Sequence, residues 1–325
     1  GGVTFAQPLT VATGADGTRY VLDRHGPTVF MFDGSGNLLG TFGREGEGPG
    51  EFASPTDLLL HPDGTLSVLD PGLFRISRFS SGGDFLDMIT VETFLSQLEE
   101  AGPGTFFAYA RFRGTTLRTM MSEMDPGVPQ VSVIDSEGTV LRAFARRHER
   151  TGEATDIHVN KLFLAPFPGG SLAVSYRGLD RTEIWSPSGV LEKVFHRPPP
   201  FGPSPPEYRE EDRGPGVQPF TGMAYDIRSS GLAVHPSGEY WAVLVPQTPA
   251  RFRTPMFGES EIPDEWSIEL FDSEGRWLAR QPLDFPATNA VLDWYADGLY
   301  VLNPYEDAVV YRFGVSVEEG RRGIR

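Results

Sequence analysis

Four short apolar segments separated by tight turns recur in six units along this chain, and that periodicity restricts its fold more than any other feature. The clearest unit, Pro55 to Ile89, reads PTDLLLHPDGTLSVLDPGLFRISRFSSGGDFLDMI; a DG turn, an Asp-containing connection and a Gly-Gly turn divide it into four. Apolar and polar residues alternate within the segments, which is the period of a strand, and Gly, Asp and Pro supply the backbone angles of the turns. One unit is therefore a four-stranded meander. Units begin near residues 9, 55, 105, 161, 231 and 289, and turns between third and fourth strands repeat as DGSGN (33–37), SSGGD (80–84), DSEG (135–138), SPSG (186–189) and DSEG (272–275). The sixth unit lacks a convincing fourth strand, whereas Val3 to Phe5 is a spare apolar segment ahead of the first. The expectation is one all-β domain over 1–317, a six-bladed β-propeller of four-stranded antiparallel blades, with a tail at 318–325. Residues 1–8 are expected to complete the last blade and close the ring, removing the edge of an open array.

Glycine and proline make up about a fifth of the 325 residues, below the roughly 25–30% at which low-complexity disorder sets in. A net charge of −16 disfavours nucleic acid and anionic membrane surfaces, both of which need clustered Lys and Arg. No apolar run approaches the roughly 20 residues of a membrane-spanning helix. The absence of cysteine removes disulfides, thiolate catalysis and Cys-ligated zinc. No charged n-region or apolar h-region opens the chain at Gly1, so a leader is expected to be absent or already removed.

The segment VLDPGLFRISRF, and above all GREGEGPGEFASP at 43–55 leading into an inner strand, resembles NHL-type repeats and the bacterial six-bladed propellers of the TolB-like superfamily. That resemblance implies a fold rather than a reaction, since such propellers include scaffolds, binders and enzymes. It also implies an extracytoplasmic location: periplasmic, secreted or lipid-anchored.

In such a blade the one-to-two and three-to-four turns emerge on one face, and the two-to-three and blade-to-blade connections on the other. The first face carries only tight turns. The second carries 43–54, 90–104, 146–159, 196–227 and 246–265, and loops this long are usually functional or disordered. Two Pro-rich insertions, 196–220 and 246–265, belong to neighbouring units and could fold over the tunnel mouth together, anchored by Phe201, Tyr208, Phe220, Phe252 and Phe257 as a lid or partner surface.

Gln7, Asp57, His158, Asn160, Arg228 and Asn289 stand at or near the starts of inner strands and are the candidate ligand-binding residues of the tunnel mouth. Lactonase-like and lyase-like propellers gather oxygen and imidazole ligands at this place, so Asp57, His158, Asn160 and Asn289 are the candidates for calcium or zinc. The set also contains Arg228, and structural hydration of a polar tunnel competes with the metal reading. Asp70 with Arg75, and Asp180 with Arg181, flank two-to-three connections and are expected to tie loops to their neighbours. His61 and His235 precede turns as HPDG and HPSG, which the repeat itself explains. HExxH, GxSxG and GxxxxGK motifs are absent. The sequence thus points to a monomeric, non-catalytic module that binds a peptide, glycan or protein. A metal-dependent hydrolase or lyase is the alternative.

Overall fold

The computed structural model describes residues 3–110, 129–146, 161–198, 201–202, 207–211, 220–249, 251–253, 265–287, 290–303, 309–318 and 321–324. These residues contain strands and turns and no helix. Blade one is β1 (Pro8–Thr13), β2 (Arg19–Asp23), β3 (Thr28–Phe32) and β4 (Leu38–Phe42); blade two is β5 (Asp57–Leu60), β6 (Leu66–Asp70), β7 (Arg75–Phe79) and β8 (Phe85–Thr90). Blade three is β9 (Leu95–Gly102), β10 (Thr105–Ala110), β11 (Pro129–Asp135) and β12 (Val140–Arg146); blade four is β13 (Leu162–Phe167), β14 (Ser171–Tyr176), β15 (Arg181–Trp185) and β16 (Leu191–His196). A small sheet follows, β17 (Glu207–Glu211), β18 (Phe220–Asp226) and β21 (Arg251–Arg253). It interrupts blade five, which is β19 (Gly231–Val234), β20 (Tyr240–Pro246), β22 (Trp266–Asp272) and β23 (Trp277–Leu283). Blade six is β24 (Val291–Tyr295), β25 (Gly298–Asn303) and β26 (Val309–Phe313), and a hairpin, β27 (Val315–Glu318) and β28 (Arg321–Ile324), follows it.

Every described strand pair is antiparallel, blades one to four and six are meanders of consecutive strands, and an isolated bridge between Glu45 and Phe52 is parallel. The inner strands contact one another in the cyclic order β1, β5, β9, β13, β19, β24 and back to β1. That cycle is the six-bladed propeller. Second strands such as β6 and β25 are buried along their whole length, because both sheet faces meet a neighbouring blade. The core is accordingly divided into inter-blade clusters; Phe42, Phe52, Leu58, Val68 and Phe79 share one between blades one and two.

Outer strands end on a side chain that packs on the next blade's turn glycine. A Cβ at Gly83, whose φ is +89°, would lie 2.6 Å from the Phe42 ring, and one at Gly275, φ +78°, would lie 2.2 Å from Phe195. Only glycine permits both the left-handed backbone and the contact. Gly36, in the equivalent turn of blade one, meets nothing within 4 Å, since the described sixth sheet has three strands and brings no outer strand to it.

Three expectations are corrected. Residues 3–7 form no strand and do not complete blade six. Phe5-Ala6-Gln7-Pro8 instead repeats Phe52-Ala53-Ser54-Pro55 as the approach to an inner strand: the Asp23 carboxylate accepts from the Ala6 and Gln7 N–H groups, as Asp70 accepts from those of Ala53 and Ser54. Those amides are therefore turned away from any ladder. Second, blade three begins at Leu95 rather than near 105; the stretch 90–104 is mostly the inner strand β9, not a loop. Third, residues 318–325 are not a bare tail, because β28 pairs with β27 and lies beside β23.

The two Pro-rich insertions do meet. Tyr225 of β18 pairs with Phe252 of β21, Asp226 with Arg251, and Tyr208 of β17 with Met223, so both insertions contribute to one sheet on the long-loop face.

Candidate functional site

Side chains that alternate along the six inner strands leave a central channel of about 830 Å³, lined from Thr10, Thr56 and Ser230 at the long-loop end to Pro62 and Tyr295 at the other. Along β24 the odd residues Val291, Asp293 and Tyr295 are half-buried and line it, while Leu292 and Trp294 are buried. A period of two thus sorts the strand into a channel face and a blade-packing face.

The channel face is acidic. Asp57 (β5), Glu99 (β9) and Asp293 (β24) all line it, with Gln97, Tyr109 and Tyr295 beside them. Asp57 accepts from the N–H of Leu98 on the next inner strand at 2.7 Å and from its neighbour Leu58 at 3.0 Å. Gln97 repeats this device one blade on, accepting from Leu164 N–H and donating to Leu164 C=O and to Glu99. Tyr295 of β24 donates to Val11 C=O on β1. Polar channel residues therefore hold β5 to β9, β9 to β13 and β24 to β1 where no ladder joins them.

Burial in the ring raises the carboxyl of Asp57 to about 7, against the bonds from Leu98 and Leu58, which lower it. Asp293 is likewise raised to about 7, by burial and then by the charge of Asp57. Glu99 is held well above the carboxylate range by burial and by the charges of Asp57 and Asp293, and the Tyr295 phenol is pushed up by burial and by all three carboxylates. These side chains keep some water contact through the bore, yet protein surrounds them on every other side. Lys161 also lines the channel, its ammonium 5.1 Å from the centre of the Phe163 ring.

Near the tight-turn end, the spacing of a hydrolytic triad appears: His61 Nε2 lies 2.8 Å from Ser67 Oγ, and Nδ1 lies 2.7 Å from Glu100. Ser67 is 0% exposed, so its hydroxyl cannot reach a substrate. The group fastens the blade-two turn to β9.

Of the candidate residues, Asp57 lies in the channel. Gln7 belongs to the F-A-x-P approach, its N–H held by Asp23, and does not line the bore. Arg228 is not at the mouth either. It is 2% exposed, pairs with Asp226 at 2.9 Å and Asp180 at 3.7 Å, and lies over the Phe201 ring at 4.6 Å. Asp226 also binds Arg251, which reaches Glu207, so this ion network pins the small sheet to blades four and five. Phe201 also accepts from Arg228 through its carbonyl at 3.2 Å. His158, Asn160, Asn289 and Phe257, and the side chains of Tyr208, Phe220 and Phe252, lie outside the described residues. Among the described residues no group of three His, Cys, Asp or Glu is gathered closely enough for one metal ion. Asp70 ties the loop before its blade, and Arg75 donates to the carbonyls of Glu47, Gly48 and Glu51 in the same loop. Asp180 and Arg181 separate, Arg181 pairing with Glu183. Sequence reasoning missed Glu99, Asp293 and Tyr295; polar residues two apart at 97 and 99, and at 293 and 295, are the signal that could have found them.

A family model described as a 6-bladed beta-propeller matches residues 10–134. No curated protein sequence matches. Among solved structures, a member of the DUF4221 family from Bacteroides vulgatus aligns with a TM-score of 0.57 at 11% identity, covering 95% of this chain and 94% of that one. A Bacteroides fragilis protein classed as exported aligns at 0.54 and 10% identity, covering 93% and 80%. A streptogramin B lyase aligns at 0.51 and 11% identity, covering 95% and 93%. Likeness at these identities is a likeness of fold.

Proposed function

We propose that the protein is a non-catalytic, extracytoplasmic binding propeller of NHL-like type, working through its channel and long-loop face, and that the channel takes a ligand bearing a positive charge such as a protonated amine. The observation that carries this reading is the convergence of Asp57, Glu99 and Asp293 from three strands on one channel, each shifted upward by burial, with Glu99 and Asp293 raised further by the charge of neighbouring carboxylates. A channel of about 830 Å³ falls within the range of small-molecule sites, about 300–1,000 Å³. An amine entering it replaces bound protons, so binding and proton release are linked. The small sheet built from both insertions, held by Arg228 and Arg251, gives the long-loop face a fixed rather than a floppy surface beside the channel.

The test is isothermal titration with spermidine at about pH 7 in two buffers of different ionisation heat. Saturable binding is expected, with an apparent heat that differs between buffers by the protons released. Asp57→Asn combined with Asp293→Asn should weaken it by at least about tenfold, or ~1.4 kcal/mol. Buffer-independent heats, or a double variant that binds as the parent does, would reject a cationic ligand. The metal-dependent hydrolase or lyase rests on the same carboxylates and ranks second because they are not gathered around one point. Calcium and zinc in the same cell test it, with a stoichiometric metal that displaces spermidine as its positive result.

A further inference from the structure

On the tight-turn face, away from the insertions, a cleft of about 400 Å³ opens between blades five and six, lined by His235, Tyr240, Trp294, Asp297 and the turn glycines Gly298 and Gly314. Three rings form a wall: His235 stands edge-on to Trp294 at 5.1 Å and to Tyr240 at 6.2 Å between centres. The glycines bring no side chain into the space. His235 Nδ1 accepts from the Ser237 N–H, which leaves Nε2 to carry the ring proton as a donor. Burial lowers the imidazole's affinity for a second proton. Asp297, whose side chain is 30% exposed, supplies one acceptor through Oδ2. Its Oδ2 takes bonds from Arg19 at 3.0 Å and Tyr300 at 2.7 Å, while Oδ1 is buried without a hydrogen-bond partner in the protein.

Charge decides what fits. The Asp297 carboxylate is already compensated by Arg19 at 3.0 Å and by Arg312 at 3.8 Å, so a cation gains little beyond the rings themselves. An anion meets a carboxylate oxygen. The combination that remains, an aromatic wall for C–H faces beside one donor and one acceptor for hydroxyls, suits a neutral polyol. We propose that the cleft between blades five and six binds a neutral sugar ring, in contact with His235, Tyr240, Trp294 and Asp297, beside the channel and sharing only Trp294 with its lining. Two neighbouring sites would let the propeller hold a glycan in the cleft while the channel takes its own ligand.

Saturation-transfer NMR against a panel of methyl glucoside, mannoside and galactoside, with tetramethylammonium and acetate as charged comparators, tests this. At least one glycoside should receive saturation and bind saturably, insensitive to salt, while neither ion competes. His235→Ala, at a half-buried position, should weaken binding about tenfold, equivalent to ~1.4 kcal/mol, with an unchanged melt. Val315→Trp, which fills the cleft from its rim, should abolish binding and gives the same reading if the histidine variant melts early. Asp57→Asn, in the channel, should leave sugar binding intact, so failure of the channel reading and failure of this one are separable. The proposal is overturned if no glycoside binds the folded parent, if tetramethylammonium competes at equal concentration, or if the filled cleft binds as well as the open one.

Discussion

A carboxyl that stays protonated in the folded channel but ionises in the unfolded chain makes stability fall as pH rises. Asp57 and Asp293 are raised from 3.8 to about 7 on folding, and Glu99 is raised as well. Between those values the native state binds more protons than the unfolded one, so the contribution of Asp57 and Asp293 is fully present below about pH 4 and is lost as pH climbs through about 7, and that of Glu99 has the same sign. The turn carboxylates Asp33, Asp63 and Asp272 are lowered by hydrogen bonds from their own turns. Their contribution has the opposite sign and is lost only below the ordinary carboxylate value, so the two windows do not overlap. The melting temperature is therefore expected to decline from pH 5 to pH 8, a range chosen to bracket about 7. Asp57→Asn should flatten part of that slope. A melting temperature that rises across the range would refute the raised values, and with them the proton linkage of the channel.

At the scale of the element, the approach to an inner strand is a unit of its own. Asp70 is 0% exposed and accepts from the N–H groups of Ala53, Ser54 and Gly72, while Arg75 clasps three carbonyls of the same loop. Asp70→Ala strands those amides and should cost about 2–4 kcal/mol, with faster hydrogen exchange confined to 44–54 and 71–74. Loss of stability without local exchange would mean that the aspartate acts elsewhere. Asn303 occupies the matching place in blade six but donates to Pro286 C=O instead, as an amide can and a carboxylate cannot. Much of this element structure is legible in the residues: the DG and Gly-Gly turns mark hairpins, and FAQP repeats FASP with one change. The first reads as a spare strand because Val3 to Phe5 is apolar and lies ahead of the first unit, while the sixth unit lacks a fourth strand. The strand β9 was hidden for a different reason. Its residues LSQLEEAG are largely polar and without β-branching where one face lines the channel, and that composition imitates a loop. Asp57 is legible as the first residue of an inner strand, whereas the grouping of Asp57, Glu99 and Asp293 arises only when the ring brings distant strands together.

For the whole molecule, the junction between blades six and one decides how the ring stays closed. No described strand is shared across it. Side chains do the joining: Arg19 reaches Tyr300 and Asp297 at 3.0 Å each, Tyr295 grips Val11, and Phe5 fills the interface beside Phe30 and Phe32. Between blades one and two, three and four, and four and five an outer-strand Phe lies on the next blade's turn glycine, a contact that Gly36 lacks. A junction held by side chains and lacking that contact is the weakest link of a cyclic array, because local opening there breaks the ring without disrupting any ladder. Arg19→Ala should lower stability by about 1–3 kcal/mol, since it removes a charged donor from the buried Tyr300 and the half-buried Asp297. Hydrogen exchange should then accelerate in 8–13 and 291–313 while blades two to four keep their protection. Uniform acceleration through all six blades would instead mean that the propeller opens as one cooperative body, and that the ring is no weaker at this junction than at any other.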